Sequence, residues 1–137
     1  MSKYVLDSFA ILALLQQESG WERVRQLIQD ATQGSAELYM SIINVAEVKY
    51  NIARRGRDKR QAFGAMDALP ITVVSADESI DQVIELKAGH AVSLADCFAA
   101  AAAMQFDCPV VTGDPEFGKL EDVVRVEWLG DDRRPVQ

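Results

Sequence analysis

The sequence predicts an α/β fold of three layers, with a central, mainly parallel sheet of five strands between helices. Short apolar runs, suited to strands buried on both faces, alternate with longer segments whose apolar residues recur every three or four positions. Glycine, serine and aspartate punctuate the joints, and neither an internal repeat nor a low-complexity linker divides the chain. Size agrees: 137 residues, 49% hydrophobic and 26% charged, suffice for one unit with a real core. That unit is expected over residues 1–129, with a polar, disordered tail at 130–137.

Tyr4, Val5 and Leu6 form the first strand, which stops at Asp7, and Ser8 is positioned to cap a helix over 9–17. That helix is apolar almost all round (Phe9, Ile11, Leu12, Leu14, Leu15), so it is expected to be deeply buried or half covered by a partner. After Gly20, Trp21, Val24, Leu27, Ile28 and Ala31 recur at helical spacing until Gly34 and Ser35 end a second helix. Residues 38–41 read as the second strand and about 43–55 as the next helix, stopped by Gly56. A basic helix or loop follows. Ile71–Val74, after Pro70, is the third strand, and 75–88 a helix that Gly89 ends. Ser93 caps a helix running to about Phe106. Val110–Thr112 is the fourth strand, ending in Gly113 and Asp114, and 123–128 the fifth.

The formal net charge of −7 repels polyanions and gives no bulk drive toward nucleic acid or an anionic membrane, so a nucleic-acid substrate must be held locally. Cys97 and Cys108 form no CxxC and have only His90 as a soft companion, which excludes a zinc knuckle and a disulfide scaffold. They are expected to be reduced, buried thiols. The apolar run from Phe9 to Leu15 is preceded by Asp7, lacks a following cleavage site and is far shorter than the ~20 residues that span a bilayer. A cytoplasmic protein is expected.

In open parallel sheets ligands bind beyond the carboxyl ends of the strands, which makes the acids just after strands the ones of interest. Asp7 closes the first strand and Asp114 follows the fourth, so both emerge on one edge of the sheet. Asp114 also suits a helix cap, because Pro115 fits the first helical position. Glu47 lies early in the helix after the second strand, on a stripe with Asn44, Asn51 and Arg54 that is either a solvated face or a groove wall. Asp96 follows the Ser93 cap and shares its face with Ala99, Ala100 and Ala103, which are small enough to let the helix approach the sheet closely. If the four acids meet, each like-charge pair ~4 Å apart repels by about 4 kcal/mol at an effective dielectric near 20, which a bound cation offsets. An all-oxygen set favours Mg²⁺ or Mn²⁺ over Zn²⁺, and such an ion activates water and stabilises charge on a phosphoryl oxygen.

The strings VLDSFAILALL around Asp7, NVAEV around Glu47, SLADCFAAAAA around Asp96 and VVTGDPEF around Asp114 resemble the PIN domain, and most nearly the VapC toxins of VapBC toxin–antitoxin pairs. The likeness runs in order from Tyr4 to about Trp128. The resemblance implies a Mg²⁺- or Mn²⁺-dependent endoribonuclease that hydrolyses RNA phosphodiester bonds with metal-activated water, leaving a 5′-phosphate and a 3′-hydroxyl. On this likeness Asp7 and Asp96 are direct metal ligands, Glu47 and Asp114 contact the metal or its waters, and Ser8 and Thr112 help to hold the site. All four acid positions carry carboxylates, which argues against a degenerate member. The likeness also implies a homodimer, and a cognate VapB-type antitoxin that wraps the early apolar helices and thrusts a basic side chain into the acidic site.

Arg54, Arg55, Arg57, Lys59 and Arg60 are either a solvated charge run or a guide for RNA phosphates. Glu116 is a fifth acid nearby, and His90, ahead of the Asp96 helix, is either a proton shuttle or a structural histidine. A haloacid dehalogenase-type phosphatase also places an Asp after its first strand, but its second Asp would fall on Phe9. A receiver domain wants adjacent early carboxylates and a Lys after a late strand, and neither occurs. A PIN-like RNA-binding or assembly module and a stand-alone RNA-processing nuclease remain as the alternatives to a toxin.

Overall fold

The computed structural model describes residues 1–56 and 58–130; Arg57 and the expected tail beyond Gly130 lie outside the described residues. The strands are β1 (Ser2–Leu6), β2 (Ala36–Ser41), β3 (Ile71–Val74), β4 (Val110–Thr112) and β5 (Val126–Trp128). They form one sheet in the order β3-β2-β1-β4-β5, and every adjacent pair is parallel. The expected α/β architecture is thus observed, with the sheet parallel throughout. The helices are α1 (Ser8–Gln16), α2 (Trp21–Thr32), α3 (Ile42–Arg54), α4 (Lys59–Asp67), α5 (Ala76–Gly89) and α6 (Leu94–Phe106), with a 3₁₀ helix at Pro115–Leu120.

Alternation along the strands builds two apolar layers. Val5, Tyr39 and Val110 join Val83, Leu86 and Phe98 of α5 and α6 on one face, while Leu6, Leu38, Met40 and Val111 join Ile11, Leu27 and Val48 on the other. Each fully buried aliphatic side chain stabilises the fold by about 1.5–3 kcal/mol. α6 packs against β1 and β2 on one side and α5 on another, and its five consecutive alanines, 99–103, are all buried. Cys97 and Cys108 are buried, free thiols. Among the described residues no helix is long and apolar enough to cross a membrane.

Three local expectations are corrected. Ser8 does not cap the first helix; it is its first residue, and the cap is Asp7, which has extended backbone and accepts from the Ala10 N–H at 2.9 Å. Residues 123–125 do not belong to the fifth strand, because the N–H groups of Val123 and Val124 are spent on the Leu120 carbonyl in a turn. The first strand begins two residues before Tyr4 and the second two before Leu38, because exposed Ser2 and Lys3 pair with Ala36 and Glu37.

Candidate metal centre

The chain crosses from β3 on one flank of the sheet to β4 on the other, which puts a topological switch point between β1 and β4. Val5 pairs with Val110 and Leu6 with Val111, so the next residues along, Asp7 and Thr112, stand opposite each other. The Thr112 hydroxyl donates to Asp7 Oδ2 at 2.5 Å and accepts from the Asp114 N–H at 3.0 Å, tying the ends of the two strands together. Gly113 between them allows a close approach: a Cβ there would stand 2.3 Å from Phe9 Cε1.

Ser41 ends β2 and caps α3 through its side chain, bringing Asn44 and Glu47 onto the first two turns. Glu47 Oε1 accepts from Ser8 Oγ at 2.8 Å and from Asn44 Nδ2 at 3.2 Å. The Asn44 nitrogen also donates to the Ala95 carbonyl at 3.3 Å, linking α3 to the turn that carries Asp96. Ser93 caps α6 by accepting from the Asp96 N–H at 3.1 Å, as its spacing predicted. Asp114 caps the 3₁₀ helix, accepting from the Glu116 N–H at 3.0 Å with Pro115 at the first helical position.

The acids act on one another. Burial pushes the Asp7 carboxyl up to about 7, against the opposing bonds from Thr112 and Ala10, and the charges of Asp96 and Asp114 raise it further. Asp96, 8% exposed, is pushed up to about 6, chiefly by burial and then by Asp114, with Ser93 opposing and Glu47 and Glu116 adding to the rise. Asp7, Glu47, Asp96 and Asp114 therefore share one electrostatic neighbourhood, which Glu116 joins. Among the described residues none of these four carries a salt bridge.

Neighbourhood is not yet a cage. Among the described residues no three Asp, Glu, His or Cys side chains converge closely enough to hold an ion as they stand. Asp7 and Glu47 each accept two hydrogen bonds and Asp114 one, and since an ionised carboxylate has about four acceptor positions, about half or more remain on each. The donor set is oxygen only, and the buried Asn44 Oδ1 beside Glu47 has no hydrogen-bond partner. Hard oxygen donors and an excess of negative charge fit a hard divalent cation.

The remaining predicted residues fall elsewhere. The His90 ring contacts Asp122 at 3.0 Å and the Leu86 carbonyl at 2.9 Å, tying the α5–α6 loop to the turn after the 3₁₀ helix; it has no bond to the acids. Arg54 lies over the Tyr50 ring at 5.8 Å, and Arg55 faces the Gln16 carbonyl oxygen at 2.8 Å once that amide is turned to satisfy both its groups. Both sit at the far end of α3, ~10 Å along the axis from Glu47. Lys59 and Arg60 are exposed at the start of α4, and Arg57 is outside the described residues. The sequence reading missed Lys119, which pairs with Glu116 at 3.4 Å and donates to the Ala91 carbonyl at 3.3 Å. Its spacing of three from Glu116 on one helical turn was the available signal.

The sequence model of the PIN domain matches residues 4–123. Among solved structures, the chain is similar to VapBC2 from Rickettsia felis bound to a DNA fragment from its promoter, with 16% identity, a TM-score of 0.66, and 93% of this chain and 98% of that one covered. It is similar to VapBC-1 from nontypeable Haemophilus influenzae, with 22% identity, a TM-score of 0.65, and coverage of 92% and 97%. A third is VapC20 of Mycobacterium tuberculosis, a sarcin–ricin loop cleaving toxin, with 17% identity, a TM-score of 0.66, and coverage of 90% and 98%. At these identities the likeness is one of fold. No curated protein matches the chain in sequence.

Proposed function

The chain belongs to the PIN domain family, and from that premise we propose that it is a Mg²⁺- or Mn²⁺-dependent endoribonuclease, the toxin of a type II toxin–antitoxin pair. The observation that carries this reading is the neighbourhood of Asp7, Glu47, Asp96 and Asp114 at the switch point of the sheet, where two of the acids are buried and no cation of the chain pairs with any of the four among the described residues. In this reading Asp7 and Asp96 hold the metal directly, and Glu47 and Asp114 hold it or its waters. When bound, the ion supplies the charge that activates water and stabilises the phosphoryl oxygens during hydrolysis.

The chain's own groups do the positioning. Thr112 orients Asp7 by donating to Oδ2, and through its acceptor role it also fixes the backbone that presents Asp114. Ser8 and Asn44 orient Glu47 by donating to the same oxygen, Oε1, so neither bond engages Oε2. Ser93 fixes the first turn of α6 and hence Asp96. RNA phosphates are drawn to Arg54, Arg55, Arg57, Lys59 and Arg60, a local positive stretch on a chain of net charge −7.

The toxin role adds an antitoxin and a homodimer as partners. Leu12 and Leu15 of α1 meet Ile52 of α3 and Ala62 and Ala65 of α4 in an apolar cleft with Gln16 and Arg55 at its rim, and Leu15 is 38% exposed. This supports an apolar antitoxin segment as the cover that the early helix calls for. The structures of VapBC complexes to which the chain is similar support the same partner.

Labelled structured RNA incubated with the purified protein tests the reading. Cleavage is expected with Mn²⁺, not with EDTA, and is expected to fall to background in Asp7→Asn and Asp96→Asn. Cleavage that persists in both variants, or in EDTA, overturns the metal-dependent mechanism. RNA retention without cleavage by the wild type in Mn²⁺ would favour a binding module instead.

A further inference from the structure

The α5–α6 loop is held residue by residue. The His90 ring reaches back to the Leu86 carbonyl through Nδ1 at 2.9 Å and across to the Asp122 carboxylate through Nε2 at 3.0 Å. The Lys119 Nζ donates to the Ala91 carbonyl at 3.3 Å, and the Lys87 Nζ to the Val92 carbonyl at 2.6 Å. Ser93 then caps α6 by accepting from the Asp96 N–H, so the loop leads directly into the turn that carries Asp96. On the other side of the latch, Asp122 follows the 3₁₀ helix that Asp114 caps.

Of these ties, the one at His90 depends on a proton that moves near neutral pH. Both of its partners, a backbone carbonyl and an ionised carboxylate, only accept. A neutral imidazole carries one N–H. With the proton on Nδ1 the bare Nε2 faces the carboxylate, and with the proton on Nε2 the bare Nδ1 faces the carbonyl. Only the imidazolium donates to both. Its charge is favoured by Asp122 and by the carboxyl end of α5, where Leu86 is among the last four carbonyls. The other charged groups bonded to this loop are Lys87 and Lys119, the latter also 3.4 Å from Glu116.

We infer that His90 is a pH-sensitive latch: its doubly protonated ring ties the loop ahead of α6 to the segment after the 3₁₀ helix, and release of one proton to water breaks one of the two ties. The elements it joins are those that present Asp96 and Asp114, so the latch sets how firmly one is held against the other without touching either acid. It needs no metal ion and is independent of the nuclease reading. Asp122, then Leu86, raises the pKa of the ring above the ordinary 6.5 while desolvation opposes. The latch is therefore closed below that ordinary value and opens as pH rises through the raised one.

Amide solvent exchange followed by NMR in EDTA at pH 6 and pH 9, with each rate corrected for the intrinsic effect of pH, tests the latch in the wild type, Asp122→Ala and Asp122→Asn. The amides to read are those of Asp96 and Cys97 in the first turn of α6, whose hydrogens Ser93 accepts. In the wild type their corrected exchange is expected to quicken by about two- to fivefold at the higher pH, the range of an ion pair with an exposed partner. Asp122→Ala has no latch and is expected to exchange at the faster level at both pH values. Asp122→Asn can turn either its oxygen or its nitrogen to the ring, so its contact survives loss of the proton and exchange is expected to stay slow at both. Wild-type exchange that does not quicken overturns the inference, as does the same quickening in both variants, which would mark a general effect of alkaline pH.

Discussion

Replacing Asp7 by asparagine is expected to stabilise the metal-free protein at alkaline pH while removing the activity. Asp7 is 3% exposed, and burial together with the charges of Asp96 and Asp114 holds its carboxyl at about 7 rather than 3.8. A carboxyl whose folded value lies above its unfolded one keeps a proton in the native state that the unfolded chain has already released. Stability therefore falls as pH rises from about 4 to about 7, and the full loss is present above that window. A rise from 3.8 to about 7 corresponds to about 4 kcal/mol at the ordinary conversion, and coupling to Asp96 spreads part of it over both groups, so about 2–4 kcal/mol is the working figure. Asparagine preserves the shape and the oxygen that caps α1 through the Ala10 N–H, and it removes the charge. Urea unfolding in EDTA at pH 8 should find Asp7→Asn more stable by about that amount, with the gap closing toward pH 3, where both states of the wild type are protonated. A variant less stable than wild type at pH 8, or a gap that does not change with pH, would refute the reasoning.

Gly113→Ala places a methyl 2.3 Å from the Phe9 ring, and either the ring or the Thr112–Asp114 backbone must yield. A loss of about 1–3 kcal/mol in urea unfolding is expected, with RNA cleavage falling further than stability alone explains; an unchanged midpoint would show that the ring moves freely. His90 is the sole histidine, and its contact with Asp122, aided by the Leu86 carbonyl, raises its pKa above the ordinary 6.5. The protonated ring thus stabilises the fold below that ordinary value, and the contribution disappears as pH rises through the raised one. An NMR titration should find the raised value and its return toward 6.5 in Asp122→Asn, and no difference between the two proteins would refute the contact.

Elements that rest on local chemistry were legible. Ile71–Val74 and Val110–Thr112 were read at their observed bounds because each is a short apolar run between clear breakers, and the Ser93 cap followed from the spacing to Asp96. Misreadings occurred where two local patterns compete. Asp7 and Ser8 both suit a cap, and only the extended backbone at the end of β1 selects Asp7. Val123 and Val124 look like strand residues, but a return to the Leu120 carbonyl holds them in a turn. The places of the four acids, at the ends of strands and in the first turns of helices, followed from local patterns, whereas their joint role is the proposal made above. What no local pattern reports is who orients them: the bond from Ser8 to Glu47 spans 39 positions and that from Asn44 to the Ala95 carbonyl spans 51. Those contacts exist only once α3, α1 and α6 have packed.

The central claim is that the four carboxylates bind one divalent-metal centre, and anomalous scattering from crystals grown with Mn²⁺ tests it most directly. The account predicts a manganese peak at about 2.0–2.4 Å from oxygens of Asp7 and Asp96, with Glu47 and Asp114 at that distance or one water away. No peak at millimolar Mn²⁺, or a peak outside this group of acids, would contradict it.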